Sequence, residues 1–292
     1  MLNYIYRTSN MENQRQNPLA GHFRQPAIYL KLPSNGKWWG EGALEMPANG
    51  EIPIYPMSTK DEILLRTPDA LLNGQGLVDV IQSCCPNIRD AWKMPSVDVD
   101  AVLIAIRIAT YGNKMSFDSK CPHCKEDNVH EVDLSNPLQT LNCPNYNELL
   151  TYKDLKIKFK PQFYFGINKT NMLEFEEQKI INLINATDIE ADEKAKEITN
   201  SMNRLFNYGI DACTQSTEYI EMGNGTKVTD AEFIKEYYQN AESAVIKLLQ
   251  GKIADFATQA KAEPLHLGCR ECTKPYDVEL TFDYASFFGK GF

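Results

Sequence analysis

Apolar positions in this chain change period several times, and the changes outline its elements. Near the start, Ala27-Ile-Tyr-Leu-Lys-Leu is β-prone and ends at the turn signal Pro33-Ser-Asn-Gly36. Ala43-Leu-Glu-Met and Ile52-Pro-Ile-Tyr flank Pro47-Ala-Asn-Gly50, which predicts a hairpin, with Pro53 and Pro56 marking an edge strand. From Thr59 the period becomes helical. Thr59-Lys-Asp-Glu62 has the form of a capping box, and Thr67-Pro68 sets a cap before a first-turn proline in a short helix ended by Gly74. Residues 76–85 predict another helix, closed by Pro86. Ser96 caps a helix over 97–111 that Gly112 ends; it is apolar on most faces, the pattern of a buried spine. Asp98 and Asp100 fall in its first turn on different faces, where the helix dipole accounts for them.

In the second half, Tyr152-Lys-Asp-Leu-Lys-Ile-Lys-Phe-Lys-Pro161 alternates as one strand with lysines on a solvated side. Residues 171–185 and 191–213 predict two charged amphipathic helices. Thr217-Glu-Tyr-Ile-Glu-Met reads as a strand that turns at Gly223-Asn-Gly225. Thr229 caps a helix over 230–238, and 241–260 predicts a longer one.

Two cysteine pairs interrupt this pattern: Cys121-Pro-His-Cys124 and Cys269-Arg-Glu-Cys272. Each lies between two strand-like segments, the anatomy of a zinc ribbon used in two halves. Two residues between cysteines let both sulfurs converge on one ion, and four thiolates fill a tetrahedral zinc site. Such a site has no open position for water, so the expectation is one structural zinc per chain. Disulfides, or a site that has lost its metal, are the competing readings. No βαβ pattern surrounds either pair, against a thioredoxin-like redox motif. His123 and His130 are alternative ligands, with solvent-facing imidazoles the plainer expectation. Cys84, Cys85, Cys143 and Cys213 show no pairing by spacing; the first two fall in an apolar stretch and read as core residues.

The fold class expected is α+β: a small N-terminal β-hairpin region plus helices, and a split zinc ribbon with a large, mostly helical insertion. The boundaries are a flexible arm over 1–24, an α+β region over 25–114, ribbon halves over 115–135 and 264–286, the insertion over 136–263, and an aromatic tail over 287–292. Aromatic residues are enriched at interface cores. Trp38, Trp39, Phe287, Phe288 and Phe292 are therefore candidate partner contacts, although packing on the protein's own sheet or ribbon is the plainer fate of such rings.

Composition narrows the function. The 292 residues carry a net charge of −9, which opposes a general nucleic-acid binder. The bases near the knuckles are Lys120, Lys125, Arg270 and Lys274. No apolar run approaches a membrane span, and residues 1–17 have no signal-peptide apolar region, so a reducing cytosol is expected. No P-loop, H-E-x-x-H or G-x-S-x-G is present, and Gly74-Gln-Gly76 lacks the strand and third glycine of a dinucleotide loop. A non-enzymatic protein is expected.

Several longer strings carry a resemblance. Ile28-Tyr-Leu-Lys-Leu-Pro-Ser-Asn-Gly36, Tyr55-Pro-Met-Ser-Thr-Lys-Asp-Glu62, Thr67-Pro-Asp-Ala-Leu-Leu-Asn-Gly74, Val80-Ile-Gln-Ser-Cys84 and Ile104-Ala-Ile-Arg-Ile-Ala-Thr-Tyr-Gly112 resemble the baseplate hub assembly proteins of T-even-type contractile-tailed bacteriophages. The likeness is close over 25–135 and looser beyond, including Phe287-Phe-Gly-Lys-Gly-Phe292. It implies a viral protein made in the host cytoplasm and placed in the virion tail baseplate. As a hub subunit or hub assembly factor, it would bind other hub and tail proteins. The alternatives are a nucleic-acid-binding zinc-ribbon regulator and a transient assembly chaperone absent from the virion. A metalloenzyme is opposed by the closed four-cysteine site.

Overall fold

The computed structural model describes residues 18–66, 74–186, 190–279 and 287–288. It is a mixed α+β protein built around three apolar clusters. Among the described residues, no helix is long and apolar enough to cross a membrane.

The first cluster gathers the N-terminal half. Strand β1 (Ile28–Leu30) pairs antiparallel with β2 (Ile52–Ile54), with Ile28 opposite Ile54. Helices α1 (Thr59–Leu65), α2 (Gln75–Cys84) and α3 (Ser96–Tyr111) follow. Over Ala101–Arg107 every residue of α3 is buried, as its all-round apolar sequence requires. Cys84 and Cys85 are fully buried beside it. Gly112 ends α3 at φ +85°, in the left-handed region, and its N–H reaches Ile108 O. Arg107 is enclosed between the rings of Tyr111 and Phe287, its guanidinium carbon 5.1 and 5.4 Å from their centroids. Its Nε and Nη1 have no hydrogen-bond partner, so the aromatic faces supply its electrostatic compensation.

Three local expectations are corrected here. The segment 43–46 does not pair with β2: its backbone is occupied by the loop over 87–90, through Glu45 N to Asn87 O and Arg89 N to Ala43 O. β1 takes that place because Leu30, Ile52 and Ile54 all reach the same core. The capping box sits one residue earlier than Thr59-Glu62. Ser58 is the cap and Asp61 the reciprocal partner, and Asp61 also receives Ser83 Oγ and Arg24. Asp98 is more than a helix-dipole group: it falls in the first turn of α3 as expected, but is buried there and bonded to Ser34 and Trp39. The helix expected after Thr67 lies outside the described residues, as do residues 1–17 of the arm. The end of that arm is anchored: Arg24 donates to Pro56 O, Ser83 O and Ser83 Oγ, each at 2.8 Å.

The second cluster lies mostly within residues 143–260, with Val97 and Trp38 joining it, and this span contains a sheet as well as helices. The expected single strand over 152–161 is a hairpin, β5 (Leu149–Tyr152) and β6 (Leu155–Phe159), turned by Lys153 at φ +53°. With β7 (Thr217–Glu221) and β8 (Lys227–Val228) it forms an antiparallel sheet in the order β5-β6-β7-β8. Ile157 and Phe159 are fully buried, while Lys156 faces outward to Glu221. Between β6 and β7, α5 (Tyr164–Ala186) and α6 (Ala191–Gln215) pack along one another. Arg204 grips buried Glu177 with both nitrogens in that seam. Helices α7 (Ala231–Asn240) and α8 (Ser243–Ala260) cover the sheet.

The two halves meet at the start of α3. Ser96 N bonds Gln162 O and Tyr164 N bonds Met94 O, both at 2.8 Å. The adjacent tryptophans divide across this joint: Trp39 packs on the first cluster, Trp38 on the second.

Candidate metal centre

The third cluster lies where the chain returns from the insertion. Strands β3 (Lys114–Lys120) and β4 (Asp127–Asp133) form one antiparallel hairpin, and β9 (Leu265–Gly268) and β10 (Pro275–Val278) form another. Each hairpin ends in one C-x-x-C turn, and the two turns have the same backbone plan. Cys121 N donates to Glu126 O and Lys125 N to Cys121 O; Cys269 N donates to Lys274 O and Thr273 N to Cys269 O. The residue after each second cysteine is left-handed, Lys125 at φ +65° and Thr273 at φ +58°. That reversal folds each turn back over its sulfurs.

The four sulfurs of Cys121, Cys124, Cys269 and Cys272 all lie within 4.8 Å of one another. Cys121 Sγ is 3.7 Å from Cys272 Sγ, and Cys124 Sγ is 3.5 Å from Cys269 Sγ. A tetrahedron with zinc–sulfur bonds of about 2.3 Å has edges of about 3.8 Å. A disulfide needs about 2.05 Å. The observed spacings fit the first and not the second, so these four groups can hold one metal ion, and no coordination corner is left for water.

Electrostatics favours thiolates at two corners. The Cys272 amide, with that of Glu271, draws the Cys269 thiol down to about 6. Burial raises the Cys121 thiol, but the Cys124 and His123 amides outweigh it and lower the net value. At Cys124 the Glu126 amide pulls downward, while burial and the adjoining sulfurs push the thiol up to about 12. A bound cation would release the Cys124 proton, because metal ligation deprotonates a thiol.

The histidines do not join the cluster. His123 Nε2 is 3.3 Å from Pro275 O, and His130 Nε2 is 3.0 Å from Tyr276 Oη. Both brace one hairpin against the other, with Ser119 Oγ also 2.7 Å from Tyr276 Oη. Asn128 was not visible as a site residue in the sequence. Its side chain is 3% exposed, and its Oδ1 accepts from Arg270 N at 2.8 Å. Its Nδ2 donates to Glu126 O at 3.0 Å and approaches Cys269 Sγ at 3.6 Å. One amide thus holds both knuckles and orients a ligand sulfur.

The aromatic candidates make internal contacts. Trp39 Nε1 donates to Asp98 Oδ2 at 2.8 Å, and Trp38 packs edge-on against Tyr146 at 5.3 Å. Phe287 and Phe288 are 3% and 4% exposed and pack in the first cluster. Phe292 lies outside the described residues. Cys213 and Cys143 stand apart from the metal centre, the first in the second cluster and the second packed against it.

A family model described as "T4 bacteriophage base plate protein" matches residues 26–289. No curated protein and no solved structure matches the chain. The matched span includes both hairpins and the whole insertion, so the chain belongs to that baseplate family.

Proposed function

Proceeding from membership of the baseplate family, we propose that the chain is a non-enzymatic subunit of the baseplate hub that remains in the virion tail. It is made in the host cytoplasm and incorporated through contacts with other hub and tail proteins. The observation that supports this reading is the family match over 26–289, which makes the chain a baseplate protein. The chemistry is consistent with it. The one cluster of metal-ligating groups among the described residues is a closed set of four thiols. A closed set positions chains; it does not activate water.

In this proposal the ion is zinc, one per chain, and its role is architectural. The first knuckle leaves the chain at residue 124 and the second resumes it at 269, so the ion clasps the two ends of the insertion. The net charge of −9 disfavours the nucleic-acid reading.

Mass spectrometry of purified baseplates, compared with hub-assembly intermediates from the same infection, tests the proposal. A subunit appears in both, at constant stoichiometry to hub proteins. Presence in intermediates alone would replace the subunit with an assembly factor, and absence from both would overturn the tail assignment.

A further inference from the structure

Among the described residues, no further strand pairs with either ribbon hairpin, and the hydrogen-bond phase shows which main-chain groups point outward. In an antiparallel pair, residues alternate between those bonded to the partner strand and those whose N–H and C=O point away. Leu134 N to Asn113 O and Cys121 N to Glu126 O fix the phase at both ends of the first hairpin. With Lys114 opposite Asp133, the outward residues of β4 are Asp127, Val129, Glu131 and Asp133. Cys269 N to Lys274 O fixes the second hairpin, and with Gly268 opposite Pro275 the outward residues of β9 are His266 and Gly268. Pro275, which has no N–H, occupies an outward position of β10, as this phase requires.

Glu131, Asp133 and His266 all line one groove of about 310 Å³, between β4, the short helix α4 (Ser135–Thr140) and β9. Among the described residues, the outward main-chain groups of these three have no hydrogen-bond partner. The groove is also acidic. Glu131, Asp133 and Glu263 line it, and no lysine or arginine does. Glu131 is shared with Lys114, and His266 is engaged by Asp277. Val132, Pro137 and Leu265 supply an apolar floor.

We propose that this groove receives an extended, basic segment of another tail protein as an added β-strand. An extended segment matches unpaired main-chain groups, and alternate side chains place lysine or arginine against the carboxylates. The acidic rim decides against a second copy of this chain, whose own charge is −9. The proposal rests on the tail-protein reading only for the identity of the partner.

The test uses the full-length, metal-loaded chain, labelled with ¹⁵N, and an acetylated eight-residue Lys-Val repeat as probe. The expected result is amide shifts and slowed exchange at Glu131, Asp133 and His266. Binding should be several-fold weaker with added salt, with a Glu-Val repeat, or in the Glu131→Gln, Glu263→Gln double variant. Shifts located elsewhere, no shifts at millimolar probe, or an equal response to the Glu-Val repeat would overturn the proposal. So would the same protection arising without probe as the protein self-associates, which would assign the edge to a second copy. Each of these failures leaves the tail-protein reading intact, because baseplate mass spectrometry tests that separately.

Discussion

Asn128 links chain segments 141 and 142 positions away in sequence, through Cys269 Sγ and Arg270 N. Groups that orient a metal ligand commonly affect affinity by about 10–100-fold. Asn128→Ala should therefore weaken metal binding within that range in a chelator competition, while Asn128→Asp keeps the acceptor for Arg270 but sets a carboxylate against the Cys269 sulfur. An affinity unchanged in both variants would remove the residue from the site. A second residue-scale prediction concerns Asp100. Burial raises its carboxyl to about 6, with Lys261 offsetting only part of that. Its folded value lies above the unfolded one of about 3.9, so the native state holds the proton more tightly. Stability from this group is then present below the unfolded value and lost as pH rises through about 6. Asp100→Asn should raise the melting temperature at pH 7 and flatten its fall between pH 4 and 6; an unaltered profile would contradict this. The four cysteines were legible in sequence because their spacing is itself the chemistry. Asn128 and Asp98 were not, because nothing next to either names a partner so distant.

At the scale of elements, local signals succeeded where the stabilising contacts are local. The helices over 97–111, 191–213, 230–238 and 241–260 end within about two residues of their expected bounds, since periodicity acts within a turn, although the N-caps are Pro95 and Asp230 rather than Ser96 and Thr229. Strand partners were less legible. Nothing in 43–46 reveals that the 87–90 loop takes its backbone, and this is what leaves β2 to β1. Helix α5 begins at Tyr164 rather than Asn171 and runs through Gly166, a poor helix residue that hides the start from propensity. The capping box is testable. Ser58→Ala removes the acceptor for Asp61 N and a donor to the Asp61 carboxylate. It should cost about 1–2 kcal/mol in urea unfolding, and a loss near zero would contradict the assignment. Phe287→Ala should cost about 3–5 kcal/mol, because the ring is buried and also covers Arg107.

Across the whole molecule, three clusters divide the labour. The first and second each carry a sizeable apolar core; the third has little beyond Cys121, Cys269 and Tyr276. Small units of that kind depend on a staple. The hairpins should therefore loosen on chelation before either large core unfolds. Hydrogen exchange should speed up over 114–133 and 265–278 while α3 stays protected, and uniform acceleration would mean that the metal supports the entire fold. The same division accounts for how two knuckles roughly 140 residues apart can meet: the residues between them build a sheet on the second cluster, and the chain then returns the second knuckle beside the first. The clasp is the central claim, and metal analysis of the full-length chain purified under reducing conditions tests it most directly. The account predicts about one zinc per chain, lost together in Cys121→Ser and Cys269→Ser. A wild-type chain that folds with its four thiols reduced and binds no metal would contradict it.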